Sequence, residues 1–313
     1  TTGAITYTGA GETSNRLIGL NGSTGGSTVN ANGTGALILS AGAHAINGGA
    51  KALTLSGTAS PTINNQMGLV EDYAGGPVTL AKAGTATWEL TTVNTYTGAT
   101  AVDEGTLRPL VDQNMTGALN FGTANTITTA GTLDLTNTNA AFSSLLVQTN
   151  SAVNTNQLIV GAGKTLTING NATIGGNGAN STTLFTATGG GAMVVANPAA
   201  SGVFAVGGNV GTGNQAIADL SGLSSLTIAL DPATGVVRVN PNNATNVADK
   251  FSVLTLPSTG AGTTTITANV LAVGDSAQNG NGLANQLKLG SGVNTLNVNT
   301  INIGTGARDV GSL

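Results

Sequence analysis

Short runs in which apolar and hydroxyl-bearing side chains alternate recur along the whole chain, each broken after a few residues by glycine, asparagine or both. Between Thr85 and Thr91, Ala86, Trp88 and Leu90 share one side while Thr85, Thr87, Glu89 and Thr91 share the other, which is the period-two pattern of a half-buried strand. Asn94-Thr95-Tyr96-Thr97-Gly98 is turn chemistry, Thr100 to Val102 reads as a second short strand, and Glu104-Gly105 ends it before a third begins at Thr106-Leu107. No long stretch carries a 3.6-residue apolar period, and 48 Gly with abundant Thr and Asn leave little to build helices with. The chain therefore reads as all-β. A hydrophobic fraction of 40% argues for a packed core rather than disorder.

The same units continue on both sides of this stretch. Leu17 to Leu20, Ser27 to Val29, Ala36 to Leu39, Ala45-Ile46 and Leu53 to Leu55 precede it, with Ile63 and the polar Glu71-Asp72-Tyr73 between them and it. Leu133 to Leu135, Leu145 to Val147, Leu158 to Val160, Leu166 to Ile168 and Met193 to Val195 follow, and the final third repeats the idea up to Ile301-Asn302-Ile303. Gly105-Thr106-Leu107 recurs as Gly131-Thr132-Leu133, and the step from Leu133 to Leu166 is somewhat longer, which suggests one coil of a solenoid plus a variable loop. The expectation is a right-handed parallel β-solenoid (β-helix) of roughly 20–25 residues per turn, on the order of a dozen turns and roughly 60 Å long. An antiparallel β-sandwich is the alternative, since it also strings short strands between turns. Residues 1–313 read as a single solenoid segment of a longer chain or assembly, because no signal peptide opens the sequence and both ends look like ordinary turns of the coil. The proline-containing stretches at Pro198 and from Pro232 to Pro241 read as loops extruded from a turn rather than as domain joints.

The stretch from Val78 to Leu110 also carries a recognisable set of words: Lys82, Gly84, Trp88, Leu90, Asn94, Thr95, Tyr96, Thr97, Gly98, Thr100, Gly105, Thr106 and Leu107. In that order they resemble the passenger-associated (autotransporter-associated) β-strand repeat, with Ala86 and Ala99 standing where the family usually has glycine. The resemblance implies a surface-exposed β-solenoid and names no binding target.

Chemistry-bearing residues are sparse. Charged residues make up 7% and the net charge is −4 with no basic run, so nucleic acid is excluded as a partner. There is no cysteine, hence no disulfide or thiolate metal site, and no apolar run long enough to span a bilayer. His44 is the single histidine, and no triad or metal constellation can be read around it. Glu71-Asp72 and Asp103-Glu104 are the close carboxylate pairs; neighbours on a strand point to opposite faces, so they read as solvated loop groups and not as an acid–base couple. Gly175 to Asn180 and Gly274 to Gly280 hold fragments of a calcium-roll word without its repetition. Trp88 and Tyr96 read as core rather than a sugar platform, and Thr263-Thr264-Thr265-Ile266-Thr267 as an isolated threonine array.

These observations assign no catalytic, metal-binding or cofactor-binding residue. They lead us to expect a non-enzymatic extracellular protein of a bacterial cell surface: a structural or adhesive stalk or a self-assembling fibre. Its expected partners are like molecules and surface glycans. The alternative is a polysaccharide lyase or hydrolase, or a glycan-binding module, on the same fold.

Overall fold

Each strand pairs with the strand one coil earlier and one coil later, and the opening coils show why. Gly3–Tyr7 lies beside Gly25–Ala31 with Ile5 opposite Val29, Glu12–Ser14 beside Leu37–Leu39, and Ile18–Leu20 beside Ala43–Ala45. The glycine and asparagine turns act as corners, and each of these opening coils carries three short strands on three faces. The computed structural model describes residues 3–22, 25–72, 76–122, 127–148, 151–175, 182–207, 215–240, 251–274, 285–304 and 311–312. Among them there is no helix, and every pairing between named strands is parallel, which excludes the antiparallel sandwich.

The first face climbs from Gly3–Tyr7 through Lys51–Ser56, Val78–Lys82 and Thr100–Val102 to the C-terminal half of Asn294–Ile303. The second is a sheet of 12 strands from Glu12–Ser14 to Gly311–Ser312. The third begins as a three-stranded sheet, is interrupted at the turn holding Asn94, and resumes from Gln113–Asn114 onward. Thr263–Val273 and Asn294–Ile303 run from the third face into the first, which joins these faces in one sheet of 17 strands.

Inward side chains stack like on like. Leu107, Leu133 and Leu158 form one buried column on the second face, and the Phe121 and Phe185 rings meet edge to face at 5.4 Å. Each fully buried leucine contributes roughly 1.5–3 kcal/mol. Coil length follows the corners: the coil from Thr100 to its register partner Leu119 is short, whereas the one from Val237 to Leu271 is far longer. The variable coil length expected from the sequence is observed, but not at every step read from it. The interval from Gly105 to Gly131 is a true coil, but Leu133 pairs with Leu158, and Leu166 belongs to the third face opposite Met193. Pro198 and Pro232 lie at corners between the third face and the first, while Pro241 and Tyr73 lie outside the described residues.

Candidate functional site

The repeat-like stretch owes its conformation to side chains that span coils. Lys82 occupies an inward position between Leu55 and Val102 and is completely buried. Its Nζ donates to the carbonyls of Ala83 (2.8 Å), Gly84 (2.6 Å) and Glu104 (2.9 Å), one bond for each ammonium proton. Burial pushes its pKa down to about 7, against the pull of Glu104 and Asp103 in the other direction. Gly84 and Gly105 have φ of 65° and 69°, and a Cβ on Gly105 would stand 2.4 Å from the Gly84 carbonyl oxygen and 2.7 Å from Lys82 Nζ. Only glycine lets two corners close over the amine.

Trp88 is buried, as read from the sequence, and its Nε1 donates to Ser56 O at 3.0 Å. Where the third face is interrupted, amide side chains replace the ladder. Asn94 Oδ1 accepts from Val70 N at 2.8 Å, Asn94 Nδ2 donates to Thr92 O, and Gln113 Oε1 accepts from Asn94 N at 3.1 Å. Tyr96 is buried with its hydroxyl 2.7 Å from Thr100 Oγ1, and burial drives its phenol far above the usual value. The opposite side of the Trp88 strand is buried too, contrary to the half-buried reading: Thr87 is capped by the Pro61 carbonyl, and Glu89 lies beneath its neighbours on adjacent coils.

Those neighbours form a charged column. Gln66, Glu89 and Arg108 are in register on successive coils of the second face, with Asp134 one coil further. Arg108 donates through Nη1 to Glu89 Oε1 at 3.3 Å and through Nε to Asp134 Oδ2 at 2.8 Å, and Gln66 Nε2 donates to Glu89 Oε2 at 3.0 Å. Burial pushes the Asp134 carboxyl upward, but bonds from Thr136 and Arg108 outweigh it and hold the group below the usual carboxylate range. Opposite charges alternate along the axis. Both carboxylates are engaged by one guanidinium, which leaves neither as a free acid or base.

The sequence-read candidates fall elsewhere. His44 Nδ1 lies 3.0 Å from Glu71 Oε1 on the adjacent coil of the third face, a pairing the sequence reading missed for both residues. Asp72 is a staple rather than a solvated group: Oδ1 accepts from Val78 N at 2.6 Å and Oδ2 from Thr97 N at 2.8 Å and from the Thr97 hydroxyl. Asp103-Glu104 forms the corner over Lys82. Among the described residues no three His, Cys, Asp or Glu stand close enough to hold a metal ion. The calcium-like words, after Gly175 and Gly274, lie outside the described residues. Thr265 is not isolated: it is in register with Thr227 and Thr295, and Thr227 in turn with Val194.

Beside the charged column a groove of about 590 Å³ crosses several coils, its wall including Thr85, Glu104, Thr106, Thr132, Asn154 and Gln157, with Pro61 at one end. Thr106, Thr132 and Gln157 occupy one register column of the second face.

Three parallel faces wound around one core define a parallel β-solenoid, and the side chains that span its coils at Lys82, Asn94 and Tyr96 mark one coil as distinct. That coil is where known proteins are met: residues 80–108 match the family model of the passenger-associated-transport-repeat, consistent with a passenger-type surface protein. No curated protein and no solved structure matches the chain.

Proposed function

We propose that this chain is a non-enzymatic structural and adhesive segment of a stalk displayed outside the cell on a bacterial surface. The observation that carries the reading is the use made of its buried polar groups. Lys82, Asn65, Asn94, Glu89 and Asp134 each bond to a neighbouring coil, so chemistry that an active site would leave available is committed to stiffness. An enzyme on the same scaffold would need a carboxylate free to move a proton, and Arg108 holds both Glu89 and Asp134.

Negative-stain imaging tests the proposal. Twelve coils stacked about 4.8 Å apart give rods of about 55 Å, and their melting temperature stays the same in EDTA. Growth of regular filaments with concentration would assign the chain to a fibre subunit instead of a stalk segment. Degradation of a polysaccharide panel by the purified chain would overturn the non-enzymatic reading.

A further inference from the structure

We infer that the groove bounded by Pro61 and Gln157 is a binding site for a straight, uncharged, β-linked polysaccharide lying along the rod axis. The inference rests on the adhesive part of the function proposed above and gives it a location and a ligand class.

Geometry comes first. The groove is built on four successive coils, represented in turn by Thr85, Thr106, Thr132 and Gln157. Coils stacked about 4.8 Å apart place one hydrogen-bonding side chain at each step, a spacing close to that of successive sugars in an extended β-linked chain. Thr106, Thr132 and Gln157 make no side-chain hydrogen bond within the described residues, so their hydroxyls and amide are open to a ligand. The groove has a definite end: on the preceding coil the equivalent of Thr106 is Thr87, which donates to Pro61 O at 2.9 Å and is buried.

Charge selects the class. Glu104 is the one charged residue of the described lining, and the adjacent Arg108 is already held between Glu89 and Asp134. With no cation in that lining to receive a carboxylate or sulfate, an acidic polymer is repelled and a neutral one accepted. No aromatic ring lines the groove among the described residues, so binding rests on hydrogen bonds repeated coil by coil, individually weak and additive with length.

Isothermal titration calorimetry on the full chain tests this with cellobiose, cellotetraose, cellohexaose and tetragalacturonate. Affinity should rise about tenfold or more from cellobiose to cellotetraose, change less than about twofold to cellohexaose, and be absent for tetragalacturonate. Thr132→Val and Gln157→Ala should each weaken cellotetraose binding about fivefold with unchanged melting temperature, whereas Thr227→Val on the third face should leave it unchanged. No heat with millimolar cellotetraose, equal binding of the acidic oligomer, or indifference to both groove variants would each overturn the proposal. The rod is scored separately by imaging, so that failure would remove the adhesive site and leave the stalk standing.

Discussion

Lys82 shows how much of this molecule rests on single residues. Its side chain enters a column of aliphatic groups between Leu55 and Val102 and ends on three carbonyls, two from its own corner and one from the next coil. Lys82→Met would keep the volume and leave those carbonyls without a donor, so urea unfolding should show a loss of about 2–3 kcal/mol. The pH dependence has a definite sign. A lysine whose folded pKa, about 7, lies below its ordinary 10.5 favours folding in its neutral form. Stability should therefore be lowest below about 7, rise as pH climbs from 7 towards 10.5, and level off above; Lys82→Met should lack that slope. Gly105→Ala should cost about 3 kcal/mol, because the added Cβ combines a left-handed φ with a 2.4 Å approach to the Gly84 carbonyl oxygen. Neither the inward direction of Lys82 nor the glycine contact was legible from residue types: a lone lysine between an alanine and an alanine reads as a solvated end of a strand.

At the scale of the strand, the second face depends on the column Gln66–Glu89–Arg108–Asp134. Arg108→Leu would strand the buried Glu89 without its cation and should cost about 3 kcal/mol. The folded Asp134 carboxyl titrates below its ordinary 3.8, so its contribution is present above pH 3.8 and disappears as pH falls through the lower folded value. Asp134→Asn should melt earlier than the parent at pH 7 and lose less of its remaining melting temperature in acid, which thermal scans between pH 2 and 7 would show. Strand legibility was uneven for a physical reason. Leu133 to Leu135 and Leu145 to Val147 were readable because alternating aliphatics face the core, and both are strands. Asn64–Met67 and Gln113–Asn114 were not: their polar side chains bond across coils, so they carry no hydrophobic alternation.

The whole molecule is a stack whose coils vary in length, from short ones such as that between Thr100 and Leu119 to long ones such as that between Ala216 and Ser252, without loss of register, because length is absorbed at corners. Insertion of four glycine and serine residues after Pro232, at an exposed corner, should therefore shift the melting temperature by only about 1–2 °C. One residue inserted after Leu166 should destabilise far more, since it turns Ile168 out of the core; circular dichroism melting of both variants decides the matter. The same fact divides what could be read from what could not. Period-two alternation, glycine corners and the words from Lys82 to Leu107 are local, and by themselves they determined an all-β chain with one repeat-like coil and favoured a parallel solenoid over the antiparallel sandwich that the pairing then excluded. The partners across coils are not local. Corner lengths set which residues meet across coils and follow no period, while a one-residue shift of register within a strand turns its side chains to the other face. The stacking of Arg108 between Glu89 and Asp134, the pairing of His44 with Glu71, and the alignment of Thr106, Thr132 and Gln157 along one groove were therefore decided only when the chain closed on itself.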